Sequence, residues 1–594
     1  MTPKTSRWIE RWLPGVRAVR TYDRSWLRFD LVAGVVLAAI LVPQGMAYAE
    51  LAGLPAVTGL YTTIACLVGY AIFGPSRILV LGPDSSVSPL IFAAITPLLV
   101  AGGDPATAIA LAGMLAVMVG LIEIGLGVGK LGFVADLLSS EVQVGYMNGL
   151  AVTIIVGQLP KLFGFSIEAE GFFAEIKAFV GSLGQTNVAA LVVGAAVLAT
   201  LLILPRFTKK VPAVLVAVVG ATLVSAVLGL GALGVKTVGA LPHGLPMPSL
   251  PWTNLSNAAA LLIAAVGITL VSLTDTIATA TSFAARRGDE VDPDQEMIGM
   301  GAANIMAGFF QGFAISTSAS RTAVAEQSGA KSQVTGLVGA GIVALLLLFF
   351  NSLLAALPQS ALAAVVMAAA LSLVNFAVLV HYYRVRKSAL VLSLVATAGV
   401  IVFGVLQGIV LALVLAVAMF FRRSWWPHGA VLGRVEGLEG WHSTKRYPDA
   451  SQLPGIVVYR WEAPLFFANA GAFRDEIRRI VRKRKPEWIV VQSEAITDID
   501  VTAGDMLAQL DEELNAQGVH LAFAEMRARL QELVTRYGLM ETLDRKHFYP
   551  TLESAITATQ RHVDRARGDL AGTAESAGSR GDGDSARSGG NQAD

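Results

Sequence analysis

The sequence predicts a helical membrane protein of fourteen apolar segments followed by a small soluble α/β domain. Three observations lead to this fold class. The 594 residues are 54% hydrophobic and 15% charged, with a mean hydropathy of +0.61, which is too apolar for a soluble protein of this length. Gly, Pro or charged residues divide the first 423 residues into separate apolar runs. Beyond them, short strand and helix patterns alternate.

The fourteen apolar segments differ in their continuity. They lie at residues 31–50, 57–73, 78–100, 106–127, 140–160, 187–205, 212–231, 257–283, 296–311, 314–329, 334–354, 359–378, 388–404 and 407–422. The third and tenth are interrupted by Gly, Pro and hydroxyl residues, and they are seven segments apart. Such interruptions indicate a transporter of two inverted seven-segment repeats, whose half-helices meet near the middle of the bilayer. Because Gly and Pro are also common in ordinary membrane helices, a plain bundle stays an alternative.

Basic residues collect at the ends of alternate segments. If every segment crosses the bilayer, these clusters all fall on one side, within 4–28, 206–210, 286–287, 384–387 and 422–423. The positive-inside rule then makes both termini cytoplasmic in a multi-pass protein of the plasma or inner membrane. Residues 1–29 lack the pattern of a signal peptide and are expected to form a cytoplasmic collar before the transport domain, 30–423. The net charge of +1 points to no nucleic-acid partner.

The tenth segment opens on Gln-Gly-Phe-Ala-Ile-Ser-Thr-Ser-Ala-Ser-Arg, residues 311–321. Hydrocarbon tolerates such a sequence only where protein or a water-filled cavity surrounds it. Hydroxyls and small residues at a helix start leave free N–H groups and a positive dipole end facing what lies in front, and Arg321 adds a formal charge. The stretch therefore predicts an anion site. The alternative is an ordinary capped helix start with an interfacial arginine.

Acidic residues inside apolar runs are functional candidates by default. The deepest are Asp84, Glu123 and Asp275. Asp275 and Thr279 are four residues apart and share a helix face. Their oxygens suit Na⁺, whereas a lone buried carboxylate suits H⁺, and the sequence leaves both open. Glu123 is expected to pair within the helix bundle or near an interface.

The chain after the last segment reads as a soluble domain. Strands are predicted at 456–459, 488–492 and 520–524, and helices at 471–485, 502–517 and 526–537. We assign 424–452 to a linker and 453–563 to the α/β domain. Residues 564–594 are rich in Gly, Ser, Asp and Arg and are expected to be disordered.

Several motifs resemble the SulP family of sulfate permeases and anion exchangers. The matching stretches lie at 30–36, 42–49 (Val-Pro-Gln-Gly-Met-Ala-Tyr-Ala), 51–61, 73–77, 82–83, 294–304, 309–323 and 329–332. The soluble segment resembles the STAS domain that ends most such proteins. This resemblance implies a core and a gate part, a homodimer, and an anion held between the third and tenth helices. It implies no cofactor and no enzyme activity.

The resemblance also implies the site residues. The substrate-binding positions are Gln44, Tyr48, Ser85, Ser86, Val87, Ser318, Ala319, Ser320 and Arg321. Asp275 matches the acidic position that relatives use for a coupling cation or leave as a structural charge. Asp84 departs from the family pattern, because anion exchangers commonly have an apolar residue there. A carboxylate opposes an anion unless it is protonated or paired. We consider Asp84 as a second coupling site, a counter-ion of Arg321 or a helix cap.

In the soluble domain, Thr502 matches the position at which STAS relatives acting as anti-sigma antagonists carry a phosphorylatable Ser or Thr. Asp500 beside it could instead simply cap the helix. A domain of this kind could also bind a cytoplasmic partner. No paired base and nucleophile accompanies His520.

The predicted function is secondary active transport of a small inorganic anion through the lipid membrane. Sulfate and bicarbonate are the leading substrates, coupled to H⁺ or Na⁺ in an elevator-like cycle. A dicarboxylate or chloride exchanger of the same family is one alternative. A nucleobase permease is another, although Arg321 counts against a neutral substrate. A signalling or scaffold protein acting through the STAS domain is an alternative from a different class.

Overall fold

The computed structural model describes residues 12–99, 104–132, 139–167, 169, 171–208, 212–242, 244–251, 255–539 and 545–578. The chain divides into two compact units, Met1–Val417 and Ala418–Asp594. Some residues used in the sequence analysis lie outside the described ranges, namely the basic residues before residue 12, Lys209, Lys210 and the tail 579–594.

The first unit is helical, and its first half contains nine helices and one short strand among the described residues. They are α1 (Pro14–Arg20), α2 (Leu27–Leu51), α3 (Ala56–Phe73), β1 (Leu81–Gly82), α4 (Ser88–Ile95), α5 (Pro105–Val128), α6 (Ser140–Leu162), α7 (Phe172–Gly181), α8 (Val188–Phe207) and α9 (Ala213–Leu228). The second half contains α10 (Leu255–Arg287), α11 (Pro293–Phe309), β2 (Ser316–Thr317), α12 (Ala319–Gln327), α13 (Val334–Phe349), α14 (Asn351–Ala355), α15 (Gln359–Leu373), α16 (Phe376–Val385), α17 (Lys387–Phe403) and α18 (Val405–Trp425). Each of the fourteen predicted segments overlaps at least one of these helices, and the eleventh and twelfth each overlap two.

Length and composition separate these helices into two kinds. Seven helical spans in the described part of the chain are long and apolar enough to cross a membrane, and further apolar helices are shorter. The third and tenth segments are interrupted, as predicted: each is a two-residue strand followed by a short helix, α4 or α12. β1 and β2 pair antiparallel, with Leu81 opposite Thr317 and Gly82 opposite Ser316. This pairing brings the starts of the two short helices together.

The membrane helices pack as two groups. We call α2–α5 and α10–α13 the core helices, since α11 packs on α3 and α5, α13 on α2 and α3, and α10 on α4 and α5. We call α6, α8, α9, α15 and α17 the gate helices, since α6 packs on α15 and α17, and α8 on α9 and α15. The groups meet where α9 and α15 contact α2.

Glycine permits the close crossing of α5 and α11. A Cβ added at Gly120 would lie 2.4 Å from the carbonyl oxygen of Gly301, and one added at Gly301 would lie 2.6 Å from that of Gly120. Small residues are the usual means by which membrane helices approach closely, because lipid supplies no hydrophobic driving force between them. This crossing fixes α11, which leads into β2.

The second unit carries a mixed sheet. Its elements are β3 (Gly429–Arg434), β4 (Trp441–Ser443), β5 (Ile456–Trp461), α19 (Ala470–Arg484), β6 (Trp488–Gln492), α20 (Val501–Asn515), β7 (His520–Ala524), α21 (Ala528–Arg536), β8 (Phe548–Tyr549) and α22 (Leu552–Gly578). The strand order is β4-β3-β5-β6-β7-β8, with β5 to β8 parallel. Side chains alternate along β5: Val457 and Tyr459 pack with α19 to α21, whereas Ile456 and Val458 pack with α22.

Two boundaries differ from the sequence expectation. The range 424–452, expected to be a linker, contributes β3 and β4, and β3 pairs antiparallel with β5. Leu432 of β3 is buried, and this burial together with the pairing to β5 stabilises the short run as a strand. The helix α22 continues to Gly578, so residues 564–578 of the expected tail are helical. Alanines in this stretch favour helix.

Candidate functional site

A cavity of about 690 Å³ lies between the core and gate helices. Its core side comes from α2, α10, and the turns that precede α4 and α12. Its gate side comes from the start of α6, the end of α8, the start of α9 and the end of α15. If successive segments cross in alternate directions, these four ends lie on the same side of the membrane. The cavity therefore occupies that half of the domain.

Ten of the twelve residues predicted for substrate and coupling ion line this cavity. They are Gln44, Tyr48, Asp84, Ser85, Ser86, Asp275, Thr279, Ser318, Ala319 and Ser320. Val87 and Arg321 are buried beside it and do not line it. The structure thus brings together side chains from four segments that are up to 276 positions apart, counting from Gln44 to Ser320.

Hydroxyl groups surround the starts of both short helices. Ser318 caps α12, because its Oγ accepts a hydrogen bond of 3.4 Å from the backbone N–H of Arg321, and it lies 3.0 Å from the Oγ of Ser320. At the other short helix, the Oδ2 of Asp84 accepts hydrogen bonds from the backbone N–H and the hydroxyl of Ser86, at 2.9 and 3.0 Å. Hydroxyl donors and helix N-termini are groups that bind anions.

Arg321 lies behind the cavity wall. Its side chain is 1% exposed, and its Nη1 donates a 2.6 Å hydrogen bond to the carbonyl oxygen of Pro83. Its Nη2 lies 3.7 Å from Oδ1 of Asp84. A Cβ at Gly82 would approach Nη1 to 3.1 Å, so glycine leaves the guanidinium its place. Arg321 therefore joins the tenth segment to the third. Its predicted direct contact with the anion stays a prediction.

Asp84 has one of its three predicted roles, since it is the counter-ion of Arg321. Its bonds to Ser86 hold the turn before α4, but the N-cap of that helix is Val87, so the predicted role as a helix cap is wrong. Its side chain is 14% exposed and lines the cavity, so it remains reachable from the water there. A role as a second coupling site stays a prediction.

Asp275 lies on α10, on the core side of the cavity. Its Oδ1 accepts a 3.2 Å hydrogen bond from Nε2 of Gln143, which belongs to the gate helix α6. The next residue, Thr276, lies 2.7 Å from the hydroxyl of Thr317 and so ties α10 to β2. Thr279 lines the cavity one helical turn from Asp275. The two predicted coupling residues are therefore close to the predicted anion site.

Gln143 is a cavity residue that the sequence analysis missed. It is a polar side chain at the start of the fifth segment, and polarity within an apolar run was the available signal. The gate residues Ser372 and Asn375 also line the cavity and were missed. Every residue predicted for the substrate or the coupling ion came from the first, third, eighth or tenth segment, so the gate side was absent from the prediction.

Glu123 is enclosed within the core helices, as expected. Its Oε1 accepts from the hydroxyl of Ser272 at 2.9 Å, and its Oε2 accepts from Nδ2 of Asn304 at 2.8 Å. Asn304 in turn accepts a 2.9 Å hydrogen bond from the backbone N–H of Ile315, just before β2. Through Asn304, Glu123 thus positions the backbone just before β2, and it does not line the cavity.

In the second unit, Thr502 is exposed at the start of α20. Asp500 caps this helix: its Oδ1 accepts from the backbone N–H of Ala503 at 2.8 Å, and its Oδ2 accepts from that of Phe467 at 2.8 Å. The capping role considered for Asp500 is therefore present, and phosphorylation of Thr502 stays a prediction.

Comparison with known proteins covers both units. Residues 27–396 match the sulfate permease family, and residues 447–555 match the STAS domain. The chain is 41% identical over 552 residues to a probable sulfate transporter of Mycobacterium tuberculosis, covering 93% of this chain and 98% of the relative. It is 30% identical over 575 residues to the chloroplastic sulfate transporter 4.1 of Arabidopsis thaliana, covering 94% and 84% of the two chains.

Solved structures share the fold. SLC26A9 has a TM-score of 0.85 at 24% identity, with 95% of each chain covered. The transmembrane domain of the cyanobacterial bicarbonate transporter BicA has a TM-score of 0.59 at 23% identity, covering 67% of this chain and 98% of that one. These likenesses, together with the apolar helices and the mixed sheet, confirm the predicted fold class.

Proposed function

The chain belongs to the sulfate permease family and transports anions rather than catalysing a reaction, and we propose that sulfate is the anion it carries. Relatives at 41% and 30% identity are named as sulfate transporters, which puts sulfate ahead of other anions. Bicarbonate is the second candidate, because a bicarbonate transporter shares the fold of the membrane domain. The observation that carries the proposal is the meeting of two short-helix starts at one hydroxyl-lined cavity.

Sulfate would bind at the starts of α4 and α12. Ser318 and Ser320 share one hydrogen bond, so one of these two hydroxyls is free to donate to a sulfate oxygen. The hydroxyl of Ser86 can donate once it leaves Asp84, and the helix dipoles favour the negative charge. Arg321 would add positive potential from behind the wall, partly offset by Asp84 at 3.7 Å. The cavity is larger than the anion, so water would share it.

The charges around the cavity favour coupling to a cation. Asp84, Asp275 and Arg321 sum to one negative charge when both carboxylates are ionised, and this opposes the entry of sulfate. Uptake of H⁺ by Asp275, or of Na⁺ by Asp275 and Thr279, removes that opposition. By linkage, the cation and the anion then favour each other's binding. Asp84 is the next candidate for a second cation.

The two helix groups suggest how the anion moves. We place both termini in the cytoplasm, from the distribution of basic residues, so the cavity faces the cytoplasm. At the far ends of α2 and α6, Glu50 and Lys161 form an ion pair at 3.4 Å between a core and a gate helix, on the side away from the cavity. Displacement of the core helices along the gate helices would carry the site outward, as in an elevator. The expected homodimer stays a prediction.

The test is uptake by the purified protein in proteoliposomes. Radiolabelled sulfate, bicarbonate, succinate and chloride are offered separately, under an imposed pH gradient, an imposed Na⁺ gradient or neither. We expect sulfate to accumulate under one of the two gradients, and to a greater extent than the other three anions. If another anion accumulates and sulfate is not taken up, that anion is the substrate and the proposal of sulfate is wrong. If sulfate only flows down its own gradient, equally with and without the imposed pH or Na⁺ gradient, transport is not coupled to either cation.

A further inference from the structure

Gln143 forms a polar contact between the two helix groups at the cavity. It is the fourth residue of the gate helix α6, whereas Asp275 belongs to the core helix α10. Their side chains are joined by the 3.2 Å hydrogen bond from Nε2 to Oδ1, and both residues line the cavity. In an elevator-like cycle these two groups would move past each other. The bond therefore belongs to one arrangement of core and gate.

We infer that Gln143 is a positioning residue that couples the cation state of Asp275 to the arrangement of core and gate helices. This inference rests on the proposed function, in which Asp275 binds the coupling cation. An ionised carboxylate accepts a stronger hydrogen bond than a neutral or cation-loaded one. The empty Asp275 is then held against α6 with the cavity open, and loading of Asp275 weakens the bond and releases the core helices.

The surroundings of Asp275 support this assignment. Its electrostatic neighbours include Asp84, on the turn before α4, and Tyr146, one turn beyond Gln143 on α6. Arg321 lies on α12 but is turned to Pro83 and Asp84. Ser86, on the turn before the core helix α4, is a second hydrogen-bonding neighbour of Asp275. Since Ser86 belongs to the core side and Arg321 is paired with Asp84, Gln143 supplies the hydrogen bond that joins Asp275 to the gate helix α6.

The test measures exposure of the cavity by thiol labelling and does not require the anion to be known. The natural sequence has one cysteine, Cys66, which is 0% exposed and serves as an internal blank. Ser372→Cys places a thiol on the gate wall of the cavity. Its labelling rate by a membrane-impermeant maleimide is followed in purified protein as Na⁺ is raised, and separately as pH is lowered, with a free-thiol standard correcting for reagent chemistry.

We expect the parent Ser372→Cys protein to label more slowly as Na⁺ rises or pH falls, whichever cation is used. Adding Gln143→Leu should slow labelling about tenfold and abolish the cation dependence, since one hydrogen bond to a charged group is lost. Gln158→Leu, a matched change of a buried glutamine further along α6, should behave as the parent. If Gln143→Leu does not fold, Asp275→Asn is used instead and should give slow labelling that ignores both cations.

Two results would overturn the inference. One is labelling of Gln143→Leu at the parent rate with the parent cation dependence. The other is a parent protein whose labelling ignores both Na⁺ and pH. Failure of the proposed substrate is seen separately: if the labelling follows the expected pattern but sulfate is not taken up, the role of Gln143 stands and sulfate is the wrong anion.

Discussion

Arg321→Gln tests how the buried charge pair behind the cavity acts. The substitution removes a cation whose Nη2 lies 3.7 Å from Oδ1 of Asp84 and leaves that carboxylate unpaired. Two unit charges at this distance attract by about 4 kcal/mol at an effective dielectric constant of 20. Removing one partner of a buried pair typically costs about 3–5 kcal/mol. Because Asp84 is 14% exposed and reaches cavity water, we expect the lower end, about 3 kcal/mol.

The assay is a double-mutant cycle with Asp84→Asn. Thermal unfolding of the four purified proteins in one detergent gives the stability order, and equilibrium binding of radiolabelled sulfate gives the affinities. The double variant should be more stable than Arg321→Gln alone, since it leaves no orphaned charge. Sulfate should bind more weakly to Arg321→Gln and more tightly to Asp84→Asn than to the wild type. Additive losses of stability, with sulfate affinity unchanged in both single variants, would show that Arg321 and Asp84 do not act as a charge pair at the anion site.

Two further predictions concern stability. Gly120→Ala should destabilise the membrane domain by about 2 kcal/mol or more, because the new Cβ would lie 2.4 Å from the carbonyl oxygen of Gly301. Gly125→Ala on the same helix is the control, since its Cβ would have no neighbour within 4 Å. Thermal unfolding should find this control neutral or stabilised. In the soluble domain, burial raises the pKa of Asp511 from 3.8 to about 6. Because ionising the buried carboxyl is unfavourable, the domain loses stability as pH rises from 3.8 to about 6. Asp511→Asn should therefore raise the free energy of unfolding by about 1–3 kcal/mol above pH 6 and leave it unchanged below pH 3.8. Hydrogen exchange in α20 of the full chain measures both values. The exposed Asp505→Asn is the control, and an equal gain at all pH values would contradict the assignment.

The sequence predicted those parts of the site that backbone chemistry dictates. Gly82-Pro83 and the run Ser316-Thr317-Ser318 disfavour a continuous apolar helix, so residue type indicated the interruptions of the third and tenth segments. The antiparallel pairing of Leu81 with Thr317 then brings both together. Gln44 and Tyr48 were found only through resemblance, because four-residue spacing of polar side chains also suits ordinary helix packing.

The direction of side chains could not be read from the sequence. The sequence gives no sign that the guanidinium of Arg321 donates to the carbonyl oxygen of Pro83, 238 positions away. Gln143 was overlooked because a single amide in an apolar segment gives no sign of its partner, Asp275, 132 positions away. β3 was missed because its place in the sheet depends on pairing with β5.

We propose that an anion binds in this cavity and that a cation at Asp275 drives its transport. The most direct test compares wild-type protein with Asp275→Asn in proteoliposomes, measuring accumulation of radiolabelled sulfate against its own gradient under an imposed pH or Na⁺ gradient. The wild type should accumulate sulfate under one of these gradients. The variant should reach only equilibrium, because a neutral amide cannot cycle its charge. Accumulation by Asp275→Asn equal to that of the wild type would contradict the claim and assign Asp275 a structural role.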